Sequence, residues 1–210
     1  DPTTRALEAR VAALLGKESA LFLPSGTMCN EIAIAVHCRP GDAVICARDS
    51  HVLTAEGGGP AALAGATTLT LDGRGGLFAA SQVEDAIEAP SRYAPRSRLV
   101  SVEQTANRSG GVVWPVEELE AVCAAAHRHG LATHMDGARL LNAAVASGDP
   151  AEAHARAFDT VWIDFTKGLG APVGATLAGS GAFVDEAWRL KQRWGGAMRQ
   201  SGVLAAMCLH

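Results

Sequence analysis

"TVWIDFTKGLGAPVGATLAG", residues 160–179, sets two apolar segments on either side of a lysine. Thr160 to Phe165 is rich in β-branched and aromatic side chains, the composition of a buried strand. Gly168, Gly170 and Gly174 strip side chains from the following loop and Pro172 stiffens it. "VGATLAG" (173–179) then reads as a second strand. Lys167 therefore sits at a strand end, held by compact backbone, where a lysine can do covalent chemistry. By itself the segment reads sooner as a solvated loop lysine, because most lysines are exposed. Its partners elsewhere in the chain decide between the two.

Working outward, "ALFL" (20–23), "AVICA" (43–47), "TTLTL" (67–71), "RLVSVEQ" (98–104) and "LATHMD" (131–136) read as further strands. Leu7, Val11, Leu14 and Leu15 recur at helical spacing, and Gly16 offers a C-terminal cap. "PSGTMCNEIAIAV" reads as a turn and a helix, and further helices are expected near 81–89 and 116–129. Gly73, Gly75 and Gly76 mark a turn. Strands alternating with helices predict an α/β fold: three layers, αβα, around a mainly parallel sheet. In such sheets ligands bind at the carboxyl ends of the strands.

The 210 residues suffice for one substantial core, and 48% hydrophobic against 19% charged residues describes a globular chain. The net charge is -4, with no basic tract, so nucleic acid is not an expected partner. No apolar run reaches membrane-spanning length and no signal peptide pattern opens the sequence, so no membrane partner is expected either. The five cysteines (Cys29, Cys38, Cys46, Cys123, Cys208) are odd in number and form no C-x-x-C pair. They read as reduced thiols of a cytoplasmic protein. His127 and His129, two apart near a helix end, point in different directions and make a poor metal pair.

Three distinctive segments follow strands. "SGT" (25–27) follows "ALFL"; "DGAR" (136–139) ends "LATHM"; Lys167 follows "TVWIDF". Asp136 and Lys167 lie 31 residues apart (167 minus 136), the length of one βαβ unit, which returns both strand ends to the same rim. Gly26 lets backbone approach an anion, Thr27 adds a hydroxyl, and the next helix offers unpaired N–H groups. Ser25 or Thr27 serves equally as an ordinary N-cap, and Asp136 as the N-cap of "GARLLNAA". Asp136 with Arg139 can do more: a carboxylate holds a heterocyclic nitrogen protonated, and a guanidinium bonds a phenolate oxygen. His51, four residues past a strand, is flat enough to cover an aromatic ring. "GLGAPVG" is no dinucleotide fingerprint, because a strand follows where a helix is required. Nor is "GKE" (16–18) a P-loop, with Val11 and Glu18 at its essential positions.

Lysine, aspartate, anion cradle and flat histidine together describe a pyridoxal phosphate site. "EARVAALLGKESALFLPSGTMCN" (8–30), "HMDGARLLNA" (134–143), "FTKGLGAPVGATLAG" (165–179) and "GGAMRQSG" (195–202) resemble the L-threonine aldolase and β-eliminating lyase family almost from end to end. That resemblance implies a pyridoxal 5'-phosphate enzyme of fold type I, residues 1–210 being its large, cofactor-binding domain. It implies that Lys167 carries the cofactor and Asp136 faces the ring nitrogen. Arg139 would contact the ring oxygen, Gly26 and Thr27 the phosphate, and His51 would stack on the ring. Arg199 matches a basic position near the phosphate, and family members are homodimers or homotetramers with sites between subunits. The expected reaction cleaves L-threonine or a related β-hydroxy-α-amino acid to glycine and an aldehyde. The alternatives are β-elimination on the same frame, or a non-catalytic ligand sensor.

Two departures accompany the resemblance. Ala106, in "EQTAN", stands where many members have histidine; the smaller side chain is expected to leave room for bulkier β-substituents. The family's N-terminal segment and small C-terminal domain are expected to lie outside these residues, with the arginine for the substrate carboxylate. "RLKQRWGGAMRQ" gathers Arg189, Lys191, Arg193 and Arg199, and reads as a solvated basic face or the border of a neighbour's site.

Overall fold

The computed structural model describes residues 1–89 and 91–210. In chain order the elements are α1 (Pro2–Leu14), β1 (Ser19–Leu23), α2 (Gly26–His37), β2 (Asp42–Ala47), α3 (His51–Thr54), α4 (Gly59–Ala64) and β3 (Thr67–Leu71). There follow α5 (Ala80–Ala86), β4 (Arg96–Glu103), α6 (Val116–Arg128), β5 (Ala132–Gly137), α7 (Leu140–Ser147), α8 (Ala151–Ala155) and β6 (Thr160–Asp164). The chain closes through β7 (Ala175–Gly179), α9 (Gly181–Arg193) and α10 (Ser201–Leu209).

The strands form one sheet in the order β1-β7-β6-β5-β4-β2-β3. β7 runs antiparallel to both neighbours, and the remaining pairs are parallel. The loop carrying Lys167 is short, so the chain doubles straight back from β6 into β7; every parallel pair is joined by a helical crossover. All seven expected strands form, within two residues of the bounds read from sequence. The helix expected near 81–89 stops at Ala86, because Ile87 takes extended backbone (φ -86, ψ 106).

Alternation along the strands divides the core. Val100 and Val102 of β4, Met135 of β5, and Val161 and Ile163 of β6 join the cluster that carries Leu7 and Val11 of α1, Leu119 and Val122 of α6, and Ala205 of α10. The intervening residue of β6, Trp162, packs on the opposite face with Cys29, Ile32 and Ala33 of α2 and Phe183 and Ala187 of α9. Both faces are thus covered by helices, as a mainly parallel sheet requires. The same alternation turns His134 and Asp136 of β5 towards α2, where both bond Asn30.

The stripe of α2 that lies on the sheet reads Gly26, Asn30, His37. Its first member must be glycine: a Cβ at Gly26 would stand 2.1 Å from Cη2 of Trp162. Overpacking of this kind costs about 1–3 kcal/mol. Gly26→Ala is therefore expected to lower the urea midpoint of unfolding by a corresponding amount. An unchanged midpoint would mean that the helix start lifts freely off the indole.

Candidate functional site

Parallel pairing brings three strand ends into one row. Glu103 of β4 lies opposite Asp136 of β5, and Asp136 lies opposite Trp162 of β6. The loops beyond these ends line a cleft shared by Ser25, Gly26, Thr27, His51, Asn107, Arg139, Thr166, Lys167 and Gly174. Six of the seven residues expected at the site are therefore together: Gly26, Thr27, His51, Asp136, Arg139 and Lys167. Arg199 is exposed in the segment before α10 and does not line this cleft in the single chain.

Each side chain is held by something identifiable. Lys167 Nζ donates to Asp164 Oδ2 at 2.9 Å and lies 5.4 Å from the centre of the Trp162 ring. Asp164 Oδ1 accepts from the backbone N–H and the hydroxyl of Thr166, both at 2.6 Å, so the carboxylate pins the loop as well as the amine. Gly174 closes that loop with φ 101, and a Cβ there would strike the Phe22 ring at 2.4 Å. Left-handed backbone without a side chain is glycine's domain.

Asp136 is buried, and its Oδ1 accepts the Ala138 N–H at 3.1 Å. It is not the N-cap of α7, a position Arg139 takes, because the strand continues through Gly137. Burial, then the Glu103 charge, push its carboxyl up to about 7 against the pull of the Asn30 and Ala138 hydrogen bonds. Ser25 is the N-cap of α2: its Oγ accepts from Met28 N–H at 3.2 Å. Capping and cleft-lining are thus compatible here, and the first-turn N–H groups still face the cleft mouth.

His51 opens α3 and is gripped from two sides. Its backbone N–H donates to Glu103 Oε2 at 2.8 Å, and its Nδ1 meets Glu56 Oε1 at 2.8 Å. The Glu56 hydrogen bond raises its affinity for a proton, working against burial. Glu103 Oε1 also accepts the Asn107 N–H at 3.0 Å, so one carboxylate ties the loops after β2 and β4 together.

Behind the cleft lies a residue that the sequence reading passed over. Asn30 Oδ1 accepts from Trp162 Nε1 at 2.6 Å, and the indole N–H can only donate. The amide orientation is thereby fixed, and its NH₂ reaches Glu56 Oε1 at 2.7 Å and Asp136 Oδ2 at 2.9 Å. His134 Nε2 completes the set at 3.1 Å from Asn30 Oδ1. Burial pushes His134 down to about 3, so its ring is neutral. Asn30, Glu56, Glu103 and Asp164 were all missed. The spacing of Asn30 four residues after Gly26 was the available signal, since it puts both on one helix face.

Two further expectations are corrected. Ala106 is 5% exposed and packs against Gly76, where a Cβ would come within 2.8 Å of its own; it does not line the cleft. Asn107 lines it instead, so the room expected beside a β-substituent is filled by the 73–77 turn. Lys191 is no part of a solvated face. It is 5% exposed, and burial lowers its pKa.

Comparison with known proteins follows the geometry. The beta-eliminating lyase family matches across residues 1–210. The chain belongs to that family. It is 42% identical over 213 residues to low-specificity L-threonine aldolase 1 of Arabidopsis thaliana, with 100% of this chain and 60% of that protein covered. Against the low specificity L-threonine aldolase of Escherichia coli K12 it is 38% identical over 211 residues, covering 100% and 62%. The solved threonine aldolase of Leishmania major superposes with a TM-score of 0.85 at 27% identity, over 99% of this chain and 60% of that one. The chain spans half to about three-fifths of the length of the curated relatives it matches. The architecture is that of fold type I pyridoxal-phosphate enzymes, as the sequence predicted.

Proposed function

We propose that residues 1–210 are the cofactor-binding domain of a pyridoxal phosphate-dependent lyase. Its substrate would be L-threonine or a related β-hydroxy-α-amino acid, and its products glycine and an aldehyde. One observation carries this reading: Asp136 of β5 and Lys167, in the loop after its parallel neighbour β6, open into the same cleft as His51 and the start of α2. The relatives named above support the choice of substrate.

The residues present suit the cofactor. A buried carboxylate that ionises near 7 is matched to a cationic ring nitrogen. Lys167 supplies the amine, with Asp164 close enough to hold its proton or release it. Gly26 and Thr27 offer backbone N–H groups and a hydroxyl to a phosphate at the start of a 12-residue helix. Arg139 lines the same cleft and would donate to the ring oxygen. Bound there, pyridoxal phosphate supplies an electron-withdrawing ring that accepts the electrons of a breaking bond at the substrate's α-carbon. His51, with Nδ1 committed to Glu56, presents its other nitrogen for a proton at the substrate hydroxyl.

Self-association and a cytoplasmic setting belong to the same reading. Val145 and Leu169 are 86% and 49% exposed beside the cleft, in a groove shared with Arg139. Exposed apolar residues there support a neighbouring subunit, and Arg199 would then serve the neighbour's phosphate. The five cysteines are free, four of them buried. A product assay on the full-length protein tests the reaction. Glycine with acetaldehyde from threonine is expected; pyruvate or 2-oxobutyrate with ammonia would assign elimination instead.

A further inference from the structure

We propose that Glu31 and Glu56 share one proton, carried by Glu31, and that the anionic Glu56 so maintained positions His51 with hydrogen on Nδ1 and Nε2 free for proton transfer. The last clause rests on the reaction proposed above; the shared proton does not.

Glu56 Oε1 accepts from Asn30 Nδ2 at 2.7 Å and bonds His51 Nδ1 at 2.8 Å. Neither oxygen of Glu31, and not Oε2 of Glu56, meets a donor from the other described residues. Glu31 follows Asn30 in α2, Asn30 bonds Glu56, and Glu56 is near enough to raise the Glu31 carboxyl after burial has done so. Glu31 is 2% exposed and Glu56 8%, so water does not relieve them. Nor can Glu31 retreat: its Oε1 lies 2.0 Å from where a Cβ at Gly59 would stand, hard against the start of α4. Two buried carboxylates in contact cannot both ionise. One proton on Glu31, donated to Glu56 Oε2, gives two of the three unpartnered oxygens a bond. It belongs on Glu31, because Glu56 is the group stabilised as an anion by two N–H donors. Burial first, then Glu56, push Glu31 up to about 9, in agreement with that placement.

Consequences run to the cleft. The Asn30 amide cannot rotate away from Glu56, since its oxygen is claimed by Trp162 and His134. His51 therefore faces a fixed anion across Nδ1. The other charged groups facing it are Asp136 and Glu103, while Lys167, Asp164 and Arg139 line the same cleft. Glu56, Asp136 and Glu103 all favour the protonated ring. Glu56 differs from the others in holding Nδ1 by a direct bond.

The test uses cofactor-free full-length protein and reads histidine titrations by NMR. Wild-type His51 is expected to titrate above 6.5, with Nδ1 protonated in its neutral form. Glu56→Gln should lower that midpoint by about one unit or more, the size of a lost contact charge. Glu31→Gln should leave it in place, because a carboxamide donates to Glu56 as the acid does. Thermal unfolding gives an independent reading. A carboxyl raised from 4.5 to about 9 contributes stability that is present below pH 4.5 and lost as pH rises through 9. Glu31→Gln should accordingly flatten the decline of Tm between pH 5 and 9. A His51 midpoint indifferent to Glu56→Gln, or lowered equally by Glu31→Gln, overturns the pair. Should Glu56→Gln fail to fold, an unflattened Tm profile in Glu31→Gln overturns it alone. Failure of the lyase reading would appear in the product assay and leave these measurements untouched.

Discussion

Lys167→Ala in the full-length enzyme is expected to reduce glycine and aldehyde formation by at least about 10⁴-fold, the scale on which enzymes lose rate when the covalent group is removed. Three lysines are available, at 17, 167 and 191. Lys17 Nζ is committed to the Phe158 carbonyl at 2.5 Å, before the start of β6, and does not line the cleft. Lys191 of α9 is buried, with Nζ 6.0 Å from the Trp188 ring. Lys167 alone among them lines the cleft, and its side chain keeps 33% exposure for a ligand to reach. Among the described residues neither of the other two amines forms an ion pair as Lys167 does with Asp164. Borohydride reduction of the loaded enzyme, followed by peptide mapping, should place the cofactor on Lys167. A label on Lys17 or Lys191, or a Lys167→Ala enzyme within tenfold of wild type, would remove Lys167 from the chemistry.

Much of this was open to reading because strand identity and crossover handedness are local. "TVWIDF" and "LATHMD" announce themselves by composition, and a right-handed crossover between them leaves Asp136 and Lys167 few places to go but one rim. The antiparallel return through β7 followed from a loop too short for a crossover. What stayed hidden depends on pairings between distant elements. Glu56 precedes three glycines in a loop, and nothing nearby says that its carboxylate will meet Asn30 and Glu31 of α2. Those contacts exist because α2 crosses the ends of β5 and β6, which is a property of sheet order. Ala106 failed for the same reason: the turn at Gly76 fills the space beside it, and no spacing in "EQTAN" reveals that neighbour. Lys191 looked solvated by residue type, yet the helix face it shares with Val184 and Ala187 is the one α9 buries.

Asp136→Ala should separate catalysis from retention of the cofactor. The residue is 3% exposed, flanked in register by Glu103 and Trp162, and its two oxygens already accept from Ala138 N–H and Asn30. Those bonds orient the carboxylate but do not neutralise it, and Glu103 and Glu56 both oppose its ionisation. A cationic ring nitrogen against Asp136 would resolve that conflict, and the carboxylate would then hold a proton on the ring while negative charge develops at the substrate. Preorganised groups of this kind are worth about 10²–10³ in kcat, and a loss of that size is expected with Asp136→Ala. Lys167 and the start of α2 remain, so the variant should still bind the cofactor. The cofactor-free protein gives a second reading. A carboxyl raised from 3.8 to about 7 contributes stability that is complete below pH 4 and lost as pH rises through 7. Wild-type Tm should therefore fall more steeply across that window than the Tm of Asp136→Ala. Equal slopes would mean the carboxylate is not held against ionisation. Near-normal turnover with cofactor bound would mean that the ring nitrogen finds its counter-charge elsewhere, and Glu103, beside it in the sheet, would be the next group to replace.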